Sequence, residues 1–133
     1  MGADSSETEK RVAAEAAADL VGEGMAVGLG TGSTVAYLLA ALARSGRTAR
    51  YVATSPRTEQ AARRLGLDVE PFTSLDRLDL AIDGTDQVTP DGWLVKGGGG
   101  AHTREKVVAA AADRFVVIAD ASKVVAALRP PIP

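Results

Sequence analysis

A lysine, four consecutive glycines and a nearby Arg104-Glu105-Lys106 make Lys96-Gly97-Gly98-Gly99-Gly100 the most chemically loaded stretch of the chain. Each glycine loses more conformational freedom on folding than any other residue, and a run of glycines also gives up side-chain packing. The usual offset is a row of exposed backbone N–H groups leading into a helix N-terminus, where they hold an anion or a developing oxyanion. With Lys96 ahead of the run and the Glu105 carboxylate just inside the following helix, the stretch looks like a reaction site; the alternative is that Glu105, beside Arg104 and Lys106, and Lys96 are ordinary solvated charges.

Three other segments are also rich in functional groups. Gly28-Leu29-Gly30-Thr31-Gly32-Ser33-Thr34 invites comparison with a dinucleotide fingerprint, but Ser33 stands where the last glycine should be, and no ribose-binding acid closes the next strand at Ala53-Thr54. It is not a P-loop either, because no Gly-Lys-Ser/Thr follows. Two readings remain: a cradle in which backbone N–H groups and the hydroxyls of Thr31, Ser33 and Thr34 hold one phosphate, or an ordinary turn with a Ser or Thr cap. Asp83-Gly84-Thr85-Asp86 brings two carboxylates together, which can hold sugar hydroxyls, bind a divalent metal or simply organise a turn. Thr54-Ser55 adds two hydroxyls. His102 is given no role.

The elements that position these segments follow from periodicity. Glu7 to Val21 has helical spacing, with Ser6 and Glu9 spaced as a capping box and Gly22 and Gly24 at the far end. Met25–Leu29 reads as a buried strand, Ser33–Ala43 as a helix and Arg50–Ala53 as a strand. Pro56–Leu65 reads as a helix opened by Thr54/Ser55, and Leu67–Val69 as a third strand. Leu78–Ile82 and Phe115–Ala119 are further strands, Trp93–Val95 is a short apolar run, and Ala101–Ala112 and Ser122–Leu128 are helical. Such alternation predicts an α/β fold: a Rossmann-like open, mostly parallel sheet with helices on both faces. In such sheets ligands gather beyond the carboxyl ends of the strands, where all four segments fall.

Composition narrows the chemistry further. At 133 residues the chain fits one α/β domain spanning 1–133. With no cysteine and one histidine, disulfide scaffolds, Cys/His metal sites and cysteine nucleophiles are excluded, although an all-carboxylate metal site is not. A net charge of -2 with interspersed signs gives no cationic surface for nucleic acid. No apolar run approaches the roughly 20 residues a membrane span needs, and Met1 to Lys10 is polar, so a cytoplasmic protein without membrane contact is expected.

Together with Ala119-Asp120-Ala121-Ser122-Lys123, the motifs resemble the ribose-5-phosphate isomerase type A family in order and spacing, from about Lys10 to Pro133. The resemblance implies interconversion of ribose 5-phosphate and ribulose 5-phosphate through an enediolate, with no metal or nucleotide cofactor. It makes Glu105 the general base and Thr31, Gly32, Ser33 and Thr34 the phosphate loop. Asp83, Asp86 and Lys96 would hold the sugar oxygens and assist ring opening, with Gly84, Thr85, Gly97, Gly98 and Gly99 lining the same site. Lys123 matches a substrate-binding lysine, and Lys10 a phosphate-contacting one. Two departures stand out: Gln87 occupies a position where the family usually has an acid, and family members continue beyond Pro133 into a small α+β lid. Residues 129–133 are therefore where the lid region would begin. The resemblance leaves room for a homo-oligomer or a second subunit supplying that region. It equally leaves room for a sugar-phosphate-binding module without turnover, or an isomerase of a related phosphosugar.

Overall fold

A computed structural model describes residues 2–71, 73–85, 87–88, 94–95, 108 and 110–120. Its elements are α1 (Gly2–Ala18), β1 (Ala26–Leu29), α2 (Ser33–Ser45), β2 (Arg50–Ala53), α3 (Pro56–Arg64), β3 (Leu80–Gly84), β4 (Gln87–Val88), β5 (Leu94–Val95) and β6 (Phe115–Ile118). Among the described residues, β2, β1, β3 and β6 lie in that order in one parallel sheet, while β4 and β5 form a separate antiparallel pair. Val27 pairs with Tyr51 on one side and Leu80 on the other, and Ile82 pairs with Val116. All the main-sheet strands therefore end at one edge, as the α/β expectation requires.

Short, nearly continuous apolar strands suit a sheet covered on both faces. Alternation sends Val27, Leu29, Tyr51, Leu80 and Ile82 to the face covered by α1, α2 and α3. On that face Ala14, Ala17 and Ala18 of α1 meet Leu38, Leu39 and Leu42 of α2. The small residues let the two helices approach closely, and burial of each leucine stabilises the fold by about 1.5–3 kcal/mol. On the opposite face Val52, Leu78 and Ala81 pack with Val108, which is helical together with Ala110 and Ala111. Gly28 is essential there, because a Cβ at that position would lie 2.3 Å from a Val108 methyl carbon.

Four local expectations change. Helix α1 begins at Gly2, which puts Ser6 inside the helix, and the Ser6 hydroxyl donates to Asp120 Oδ2 at 3.0 Å instead of capping. The same helix stops at Ala18 rather than Val21, where the Arg47 guanidinium takes the carbonyls of Ala18 and Val21 at 3.1 and 3.0 Å. A cation at a helix C-terminus satisfies orphan carbonyls and complements the dipole. Leu67–Val69 contributes only an isolated bridge from Val69 to Tyr51, and Leu78 only a bridge to Ala112, so strand β3 starts at Leu80. The expected helix over 122–128, the glycine tract and residues 129–133 lie outside the described residues.

Candidate functional site at the carboxyl edge of the sheet

The loop from Gly30 to Thr34 leaves β1 and enters α2 without a side-chain cap. The N-cap is Gly32, at φ 115°, a backbone conformation that favours glycine, and it supplies no side-chain cap hydrogen bond. That first turn also lacks an acidic residue. An ordinary Ser- or Thr-capped turn is thereby ruled out for this helix. By contrast, α3 is capped conventionally: Ser55 Oγ accepts from the Thr58 N–H at 3.2 Å, and Pro56 occupies the first turn. The α2 terminus thus presents backbone donors and a positive dipole end beside Thr31, Gly32 and Ser33.

Asp83 braces this loop. It ends β3 beside β1, is 3% exposed, and its Oδ1 accepts from the Thr31 N–H at 3.2 Å and the Gly84 N–H at 2.8 Å. The carboxylate can lie so close only because residue 30 is glycine; a Cβ there would sit 1.9 Å from Asp83 Oδ1. Gly30 is fixed on both sides, its N–H donating to the Ile82 carbonyl at 2.9 Å and its carbonyl accepting from Thr58 Oγ1 at 3.0 Å. Gly84 faces the Thr31 and Ile118 carbonyls, and Thr85 is buried beside it.

A cavity of about 850 Å³ adjoins the loop, bordered by Glu7, Thr31, Gly32, Ser33, Tyr37 and Arg57. Lys10 lies behind Glu7, its side chain 14% exposed and its Nζ 3.5 Å from Glu7 Oε1 and 3.9 Å from Asp120 Oδ2. Thr34 is buried, whereas Gly32 and Ser33 are exposed. Of the residues singled out from sequence, the structure thus brings together Thr31, Gly32, Ser33, Asp83 and Gly84, with Thr34 and Thr85 buried alongside. Glu105, Lys96, Gly97, Gly98, Gly99, Asp86 and Lys123 lie outside the described residues. Among the described residues no cluster of three His, Asp or Glu side chains could hold a metal ion.

Sequence reasoning missed several partners. Thr58, read only as a helix residue, holds the Gly30 carbonyl, and Ser6, Glu7 and Tyr37 join Lys10 and Asp120 across three elements. The only local signal was the hydroxyl-rich Ser55-x-x-Thr58 spacing. Thr54 Oγ1 and the Tyr51 hydroxyl are, among the described residues, the buried side-chain oxygens without a hydrogen-bond partner. Burial pushes the Tyr51 phenol up.

The Tyr37 hydroxyl donates a short hydrogen bond to Glu7 Oε2, joining α2 to α1. That bond holds the Glu7 carboxyl below the ordinary carboxylate range and pushes the Tyr37 phenol above its ordinary value. A lowered carboxylate stabilises the fold above its unfolded pKa and loses that contribution as pH falls through the folded value. A raised phenol stabilises below its unfolded pKa and loses the contribution as pH rises through the folded value. The Tm difference between wild type and Tyr37→Phe is therefore expected to be level across neutral pH and to shrink at both ends. Thermal unfolding across a pH series checks it; a difference unaltered in acid would remove the Glu7 link.

Comparison with known proteins agrees with this geometry. The profile of ribose 5-phosphate isomerase A (phosphoriboisomerase A) matches residues 50–133. The chain belongs to the ribose 5-phosphate isomerase A family. It is 49% identical over 125 residues to ribose-5-phosphate isomerase A of Caulobacter vibrioides, covering 93% of this chain and 55% of that one. The crystal structure of ribose 5-phosphate isomerase A from Neisseria gonorrhoeae matches with a TM-score of 0.86 and 42% identity, over 90% of this chain and 54% of that one. A D-ribose-5-phosphate isomerase in complex with phospho-erythronic acid matches with a TM-score of 0.90 and 34% identity, over 96% and 58% of the two chains. The chain thus spans little more than half the length of these isomerase A relatives.

Proposed function

We propose that this chain interconverts ribose 5-phosphate and ribulose 5-phosphate. The observation that carries the reading is the uncapped α2 terminus at Gly32, held against the sheet edge by Asp83. A helix start without a side-chain cap from its N-cap residue, next to hydroxyls and a braced glycine turn, suits a terminal phosphate. Aldose–ketose isomerisation then needs one carboxylate to move a proton between C1 and C2, and donors facing the enediolate oxygens. In this reading Glu105 is that carboxylate, while Lys96 and the N–H groups of Gly97, Gly98 and Gly99 are those donors. Asp86, Thr85 and Lys123 hold the sugar, and Lys10 completes the grip on the phosphate. Anchoring the phosphate far from the reacting carbons turns binding energy into orientation.

Membership of the family supports the assignment. Phospho-erythronic acid, the ligand of the related structure, pairs a phosphate with a carboxylate, and a carboxylate offers the charged oxygen pair an enediolate would present. It is the natural probe for this chain. Incubation with ribose 5-phosphate should yield ketose, and calorimetry should show phospho-erythronic acid binding. Binding without ketose would leave a phosphosugar-binding module, and turnover of another phosphosugar in preference would move the substrate. Absence of both would end the reading.

A further inference from the structure

Asp120 follows β6 at the same sheet edge, its side chain 1% exposed, and its Oδ2 is shared by the Ser6 hydroxyl at 3.0 Å and the Lys10 ammonium at 3.9 Å. Lys10 reaches Glu7 as well, and Glu7 borders the cavity beside Thr31, Gly32 and Ser33. A buried carboxylate is expensive unless paired and hydrogen-bonded, and Ser6 and Lys10 are among the partners that offset that cost here. A lysine ammonium on a flexible four-carbon stem is a poor phosphate ligand until something fixes it.

Resting on the isomerase reading above, we propose that Asp120 is a positioning residue that pins the Lys10 ammonium for the substrate phosphate. Asp120 grips Lys10 from beneath the sheet edge, Ser6 fixes the carboxylate, and Glu7 holds the outward side of the ammonium until a phosphate oxygen replaces it. Glu7 keeps its bond from Tyr37 and stays on the cavity wall. Lys10 then moves little on binding, so its rotamer entropy is spent on folding rather than on the ligand.

An opposite effect has to be weighed. Asp120 is itself negative and repels a phosphate, so removing its charge alone would tighten binding. The two effects are separable by a double-mutant cycle with Lys10→Met. Asp120→Asn keeps an oxygen acceptor for Ser6 and removes the charge. Each single variant is expected to weaken phospho-erythronic acid binding about tenfold, the double variant no more than Lys10→Met alone. KM should rise in both single variants, and Asp120→Asn should change neither KM nor the turnover number further once Lys10 is Met. Ser6→Ala, which removes one hydrogen bond and no charge, is expected to show the same pattern at smaller amplitude. It also serves if Asp120→Asn does not fold.

Losses that multiply in the double variant would make Asp120 merely structural and overturn the proposal. Unchanged or tighter binding by Asp120→Asn would do so too, as would a Ser6→Ala effect that persists beside Lys10→Met. If the wild-type chain bound no phospho-erythronic acid, the isomerase reading itself would fail, a result distinct from a wild type that binds and an Asp120→Asn that binds equally.

Discussion

Replacing Glu105 by Gln is expected to lower the turnover number for ketose formation by about 10²–10⁴-fold while KM stays within a few-fold. The carboxamide matches the carboxylate in shape and size but has no basic lone pair to accept the proton from C2. In the proposed reading substrate grip rests on other groups, the α2 terminus, Lys10 and Lys123, so binding should survive. Phospho-erythronic acid should therefore bind Glu105→Gln about as tightly as wild type, which separates a lost base from a lost fold. Exchange of substrate protons with solvent should disappear in parallel, because the same group carries the proton in both directions. A variant that kept more than about a tenth of wild-type turnover would need another base, given the usual size of the effect.

Gly30→Ala is the second large effect. A methyl group there would lie 1.9 Å from Asp83 Oδ1 and 2.1 Å from Asp83 Cγ, distances no packing tolerates. Backbone movement cannot relieve the clash cheaply, because Gly30 is tied to Ile82 and Thr58. Rotating the Asp83 side chain is not enough, because its Cβ would also lie 2.7 Å from the methyl, so β3 has to shift and the carboxylate to leave the Thr31 and Gly84 amides. A buried charge without its donors, together with strain, places the expected destabilisation at about 3–5 kcal/mol, measurable by denaturant unfolding. Adding Asp83→Gly removes all three colliding atoms, Oδ1, Cγ and Cβ, and should restore part of the stability without restoring activity. Simple addition of the two losses would mean that Gly30 and Asp83 do not meet as described.

Most of the architecture could be read from local pattern. Alternating short apolar runs and helical stretches predicted the parallel sheet, and the Thr54-Ser55-Pro56 start of α3 was legible because a cap and a first-turn proline act within one turn of helix. Pattern failed where a distant group took over a local one. Ser6 looked like a cap, but Asp120, 114 positions away, claims its hydroxyl. Gly22 and Gly24 suggested where α1 stops, yet Arg47 ends it earlier by taking the Ala18 and Val21 carbonyls. Leu67–Val69 had strand composition but lay where only Tyr51 could pair with it, so one bridge forms. At the site, the loop and the aspartate were each visible as motifs. That one braces the other through Gly30 was not, because nothing in either segment alone encodes the approach.

The bond from the Thr31 amide to Asp83 spans 52 positions. A chain synthesised from its amino end emerges with the Gly30–Thr34 loop already made and its buttress still missing. Long-range closures of this kind carry a loop entropy that nearby contacts do not, and they form late. On the proposed reading, competence to hold an anion is therefore acquired only when β3 docks beside β1.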